Sequence, residues 1–85
     1  MPAGRRATAN AMNRITPITG FDVPLGGQRV ELQQVDYAAG GMSLLRVRIR
    51  EGSRYTVFDI DPATAGSWGR ALLAWAEARE KERAT

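Results

Sequence analysis

Residues 42–62 read MSLLRVRIREGSRYTVFDIDP. Two alternating runs stand on either side of Gly52-Ser53. In the first, Leu45, Val47 and Ile49 alternate with Arg46, Arg48 and Arg50; in the second, Thr56, Phe58 and Ile60 alternate with Tyr55, Val57 and Asp59. Successive side chains of a strand point to opposite faces, so each run is a strand with one apolar face. A glycine-containing pair between two such runs predicts a two-residue hairpin. Closing it at Gly52-Ser53 sets Thr56, Phe58 and Ile60 beside Ile49, Val47 and Leu45. Asp61-Pro62 then predicts a helix start. Asp is a good N-cap, and proline suits the first helical position because its missing N–H would be unpaired there.

Upstream, Ala38-Ala39-Gly40-Gly41 predicts a turn, preceded by a strand from about Gln28 to Tyr37. Phe21, Val23 and Leu25 alternate with Asp22 and Pro24 before Gly26-Gly27. A two-residue hairpin there would pair Leu25 with Gln28, Val23 with Val30 and Phe21 with Leu32. Pro24 would then sit with its missing N–H turned away from the partner, as an edge strand permits. Downstream, Ala65, Trp68, Leu72, Trp75, Ala76 and Arg79 recur at helical spacing. Trp68, Leu72 and Trp75 are expected to lie across the sheet as core. The expected fold is α+β: a four-stranded antiparallel meander with one C-terminal helix packed on one face. Residues 1–17 are expected to be a disordered basic tail and residues 18–85 a single domain, with its charged end from Glu77 to Thr85 fraying or projecting into solvent.

Within the second strand the apolar parity changes. Val30 and Leu32 fall on the core face, whereas Val35 and Tyr37 fall on the other. A bulge near Gln33-Gln34 would return them to the core. Without one, they join Leu44 on the outer face, where an exposed apolar patch would mark a partner or dimer site.

The chain has 85 residues, no Cys and no His. These two absences exclude disulfides, thiol nucleophiles, Ser-His-Asp catalysis and ordinary zinc sites, so an enzyme is not expected. The paired carboxylates Asp59 and Asp61 have other uses, one as the partner of Arg46 and one as a helix cap. Neither Gly-Gly pair opens a helix after a strand, so neither is a phosphate-binding loop. No cofactor, metal or small-molecule substrate is implied. There is no run approaching the roughly 18 apolar residues of a membrane span, and Met1 to Pro17 has no apolar segment of the kind a signal peptide needs. A cytoplasmic protein is expected, from a bacterium with GC-rich DNA to judge by its Ala, Arg and Gly usage.

The formal net charge is +3, from twelve basic and nine acidic residues. Arg5, Arg6 and Arg14 account for all of it, leaving nine of each sign in the body. A nucleic-acid site would combine these three arginines with Arg46, Arg48 and Arg50 on the outer face and with Tyr55 for stacking. Against that, the register sets Arg48 opposite Glu31 and Arg46 opposite Asp59, which neutralises the stripe. Over residues 18–80, four strands followed by a helix are similar to the unit of the transcriptional-cofactor and Whirly-type single-strand binders. The resemblance is one of topology, and the neutral body departs from their basic sheets. Two functions are therefore expected in order. The first is a small non-catalytic interaction module, binding a protein partner or itself as a homodimer through Val35, Tyr37, Leu44, Tyr55 and Val57. The second is a single-stranded nucleic-acid binder using the arginine-bearing face and the tail.

Overall fold

The computed structural model describes residues 13–84. Four strands, β1 (Asn13–Asp22), β2 (Arg29–Tyr37), β3 (Leu44–Glu51) and β4 (Arg54–Ile60), form an antiparallel sheet in the order β1-β2-β3-β4. One helix, α1 (Pro62–Ala84), follows. This is the expected four-strand meander with its C-terminal helix.

The β3–β4 hairpin has the register its sequence dictates: Leu45 faces Ile60, Val47 faces Phe58 and Ile49 faces Thr56. Gly52 adopts φ +60° while Ser53 keeps a negative φ. A positive φ at the first loop position is the type II′ arrangement, whose twist matches that of the flanking strands. At the far end, Asp61 caps α1: its carboxylate accepts the Thr64 N–H at 3.2 Å and the Thr64 hydroxyl at 2.5 Å.

The β1–β2 connection differs from expectation. Phe21 pairs with Val30 rather than Leu32, and residues 23–28 form the loop. The Val23 N–H donates to the Gln28 carbonyl, and the Gly27 N–H to that of Val23, both at 2.7 Å. The fixed φ of Pro24 suits a turn better than a strand, and Gly27 takes φ +76° to close it. Leu25 is pushed to the loop tip, 101% exposed, and belongs to no core. The slip of two residues preserves facing, so Phe21 still shares a side with Val30.

Strand β1 also begins earlier than expected. Residues 13–17, assigned to the tail by composition, pair with residues 33–37. Residues 1–12, with Arg5 and Arg6, lie outside the described residues. The register shifts between Pro17 and Thr19, so the irregularity lies in β1 at Ile18 and not in β2. β2 pairs with β3 without interruption from Arg29–Arg50 to Val35–Leu44. The consequence is an inversion of polarity along the sheet. Near its Phe21–Val30 end the apolar residues face α1; near its Ile15–Val35 end they face away from it.

Val35 and Val47 are the two buried hydrophobic side chains among the described residues, 2% and 3% exposed, and they sit on opposite faces. Val47 lies under α1. Val35 lies on the outer face, between Ile15 and Leu44 on its neighbouring strands. The core is thus two shallow clusters on either side of one sheet. The chain is elongated, with a radius of gyration of 17.3 Å and extents of 67 × 30 × 15 Å. A compact chain of this length would have a radius of gyration of about 12 Å.

Candidate functional site: the open apolar side of the sheet

Twenty-three residues make α1 about 34 Å long, whereas the eight residues of β3 span about 27 Å. Only the first turns of α1 meet the sheet. There Trp68 packs on Phe58, with ring centroids 6.1 Å apart and planes tilted by 35°. Ala65, Trp68, Gly69 and Leu72 form the helix wall of a 310 Å³ groove whose floor is sheet residues such as Phe21, Leu32 and Val47. The groove is open. Trp68 is 44% exposed, and Phe21, Phe58 and Leu72 are also exposed. Beyond it Leu73 and Trp75 are exposed on opposite flanks of the Leu72 stripe, about 160° apart in direction, and Trp75 is 65% exposed with the Arg79 guanidinium 5.7 Å from its ring. Trp75 was expected to cross the sheet, and it does not. The charged end of α1 remains helical to Ala84 and projects into solvent, one of the two outcomes expected, and Arg79 there pairs with Glu82 at 2.9 Å.

The adjacency of Leu72 and Leu73 was the available signal. Neighbouring helical positions differ by about 100° in direction, so burying both takes a stripe at least that wide. A stripe that broad, on a helix that long, needs more cover than four short strands provide.

The outer face is built differently. Tyr37 and Leu44 share it with Val35, as the uninterrupted β2–β3 register requires. Val35 itself is buried, while Tyr37 beside it is 38% exposed. The Arg46 guanidinium donates two hydrogen bonds to Asp59, Nε to Oδ1 at 2.8 Å and Nη2 to Oδ2 at 3.0 Å. That pairing holds the Asp59 carboxyl below its ordinary pKa, with a smaller contribution from the Tyr37 hydroxyl, and raises Arg46. The Arg46–Asp59 pair separates the Val35 cluster from Tyr55 and Val57, which sit opposite Arg50 and Arg48 on the β4 edge. The five residues expected to form one partner-binding patch are therefore divided into two groups.

The arginines are also divided. Arg48 donates to Glu31 at 3.1 Å and lies over the Tyr55 ring at 4.9 Å. Arg50 has no ion pair among the described residues, and its cross-strand neighbour is Arg29. Arg29, Glu31, Arg48, Arg50 and Tyr55 line a 230 Å³ concavity. Arg29, which sequence reasoning passed over, thus joins Arg48 and Arg50. Arg14 does not; it pairs across the strands with Asp36, on the side that bears α1. Asp36 accepts hydrogen bonds from the Ser43 hydroxyl and from Gln34, at 3.0 and 3.2 Å from the latter. Ser43 first and then Gln34 hold its pKa down, with Arg14 contributing. The Thr64 side chain and backbone do the same for Asp61.

Among the described residues no group of three or more His, Cys, Asp or Glu is placed to hold a metal ion. No helix there is long and apolar enough to cross a membrane. The chain belongs to a family of unknown function (DUF6967), whose match covers residues 12–78, the whole sheet and the apolar part of α1. No curated protein and no solved structure matches the chain.

Proposed function

We propose that this chain is a non-catalytic interaction module that binds a protein through its α1 side. The carrying observation is the open groove between sheet and helix, with Leu73 and Trp75 exposed on either flank of α1 beside it. Apolar surface of this extent, contiguous over two elements, marks an interaction site on a folded protein. The reading moves the interface from the outer face, expected from parity, to the opposite side, because the apolar side chains there line a groove, whereas those of the outer face are divided by the Arg46–Asp59 pair. Three of the carboxylates are not suited to general-acid work. Asp36, Asp59 and Asp61 are all shifted downward, away from the raised pKa that a general acid needs near neutral pH.

Site-specific photo-crosslinking in the source cell tests this reading. A crosslinker replacing Leu72 should yield a defined protein adduct, whether to another chain or to a second copy. A crosslinker replacing Val57 on the outer face should yield none. Adducts from position 57 alone would contradict the assignment.

A second reading has its own observation. Arg50 faces Arg29 across the strands and has no ion pair among the described residues, whereas Arg29 lies 3.5 Å from Asp22 and 3.8 Å from Glu31, so Arg50 is the cation left to meet an anion there. Together with Arg48 stacked on Tyr55, this concavity suits a phosphate of a single strand. Binding of a labelled oligonucleotide would then weaken with salt, with a slope of about −0.7 per phosphate neutralised, and Arg50→Gln would flatten it. Absence of binding at low salt would remove this reading.

A further inference from the structure

We propose that the occupant of the α1 side is a second copy of this chain, its helix laid against the groove across a two-fold axis. The inference rests on the reading that this side is a binding surface, and it names the partner. The chain carries two unmet requirements, in the groove and along the two flanks of the helix beside it. A 310 Å³ apolar groove lacks a filler, and the stretch of α1 beyond Leu72 lacks cover for Leu73 and Trp75. A two-fold axis makes each copy donor and acceptor at once, so a single arrangement meets both. The groove has room for it: a Cβ built at Gly69 would meet nothing within 4 Å.

The area agrees. Phe21, Phe58, Trp68, Leu72, Leu73 and Trp75 are each between 36% and 65% exposed. With about 150–250 Å² for each aromatic side chain and somewhat less for leucine, they expose roughly 600–700 Å². A standard stable interface takes about 800 Å² from each partner. Charge agrees as well. The last turns of α1 hold Glu77, Glu80 and Glu82 with Arg79, Lys81 and Arg83, three of each sign. Two such helices meet without net repulsion, and nothing in the stretch selects a strongly acidic or basic partner. The fold itself makes the same demand. With two hydrophobic side chains buried among the described residues, one copy has little core, and assembly supplies the remainder.

Sedimentation velocity and thermal melts of the full chain, over about a hundredfold range of concentration, test the proposal. The expected result is a dimer whose Tm rises with concentration. Because the chain has no Cys, single thiols can then locate the interface. Leu73→Cys and Ala76→Cys should give covalent dimers with a short bis-maleimide, and Tyr55→Cys, on the outer face, should not. Leu73→Glu should lower the dimer fraction at least tenfold or unfold the chain; the thiol variants retain their meaning in either case. A wild type that is monomeric throughout, with a Tm independent of concentration, overturns the second copy as occupant. Photo-crosslinks from position 72 to another protein would still uphold the broader reading. A dimer that crosslinks through Tyr55→Cys alone overturns the helix interface.

Discussion

Truncating Val35 to alanine tests whether the sheet has a core on the side away from its helix. Val35 is 2% exposed and lies between Ile15 and Leu44 on the adjacent strands. Removing two buried carbons forfeits about 0.8 kcal/mol each, and a cavity term brings the loss to about 2 kcal/mol. In a chain of this size about 1 kcal/mol shifts Tm by 4–8 °C, so a fall of roughly 10 °C is expected. Val57→Ala provides the control. It removes the same atoms from the same face with the same loss of strand propensity, but Val57 is 49% exposed and should cost less than about 1 kcal/mol. Both variants are melted at one fixed protein concentration, since association would otherwise shift Tm. Equal effects from the two substitutions, or a Val35→Ala melt within about 2 °C of wild type, would show that Val35 is not a core residue.

Lowering the pH should destabilise the fold below about pH 4, because Asp36, Asp59 and Asp61 ionise more readily folded than unfolded. Their contribution is complete above the unfolded carboxylate pKa and is lost as pH falls through the lower folded values. Urea melts stepped downward from neutral pH should follow that course, and stability rising toward acid would contradict it. Gly52→Val forces a β-branched residue to φ +60° and should cost about 1–2 kcal/mol, with Gly52→Asn markedly milder on thermal melting. A double-mutant cycle with Arg46→Met and Asp59→Asn should give a coupling of at most about 1 kcal/mol, as partly exposed ion pairs do.

The parts of the fold legible in the sequence are those fixed locally. Gly52-Ser53 determines the β3–β4 register, and with it the Arg46–Asp59 pair, because a two-residue loop leaves no freedom to slip. Asp61-Pro62 likewise fixes the start of α1. The β1–β2 register was less legible, since Gly26-Gly27 and Pro24 both offer turn positions and the loop uses residues on both sides of them. The polarity inversion was visible as the Val35 and Tyr37 parity change. Its cause was not, because the compensating irregularity lies at Ile18 in the partner strand, where Thr16, Pro17 and Thr19 show no alternation. The candidate site was least legible of all. A stripe of Trp68, Leu72 and Trp75 looks the same whether it lies on its own sheet or on another chain, and only the length and placement of α1 separate the two.

Trp75 can report directly on whether the α1 side is covered. With Trp68→Phe it becomes the sole tryptophan of the chain, itself 65% exposed in one copy. Its emission and acrylamide quenching, followed as the protein is diluted, read the environment of that surface. Covered by a second copy, Trp75 emits to the blue, resists quenching, and shifts to the red as the dimer dissociates. A tryptophan that is fully quenchable, with water-exposed emission at every concentration, would show the surface bare and contradict the dimer.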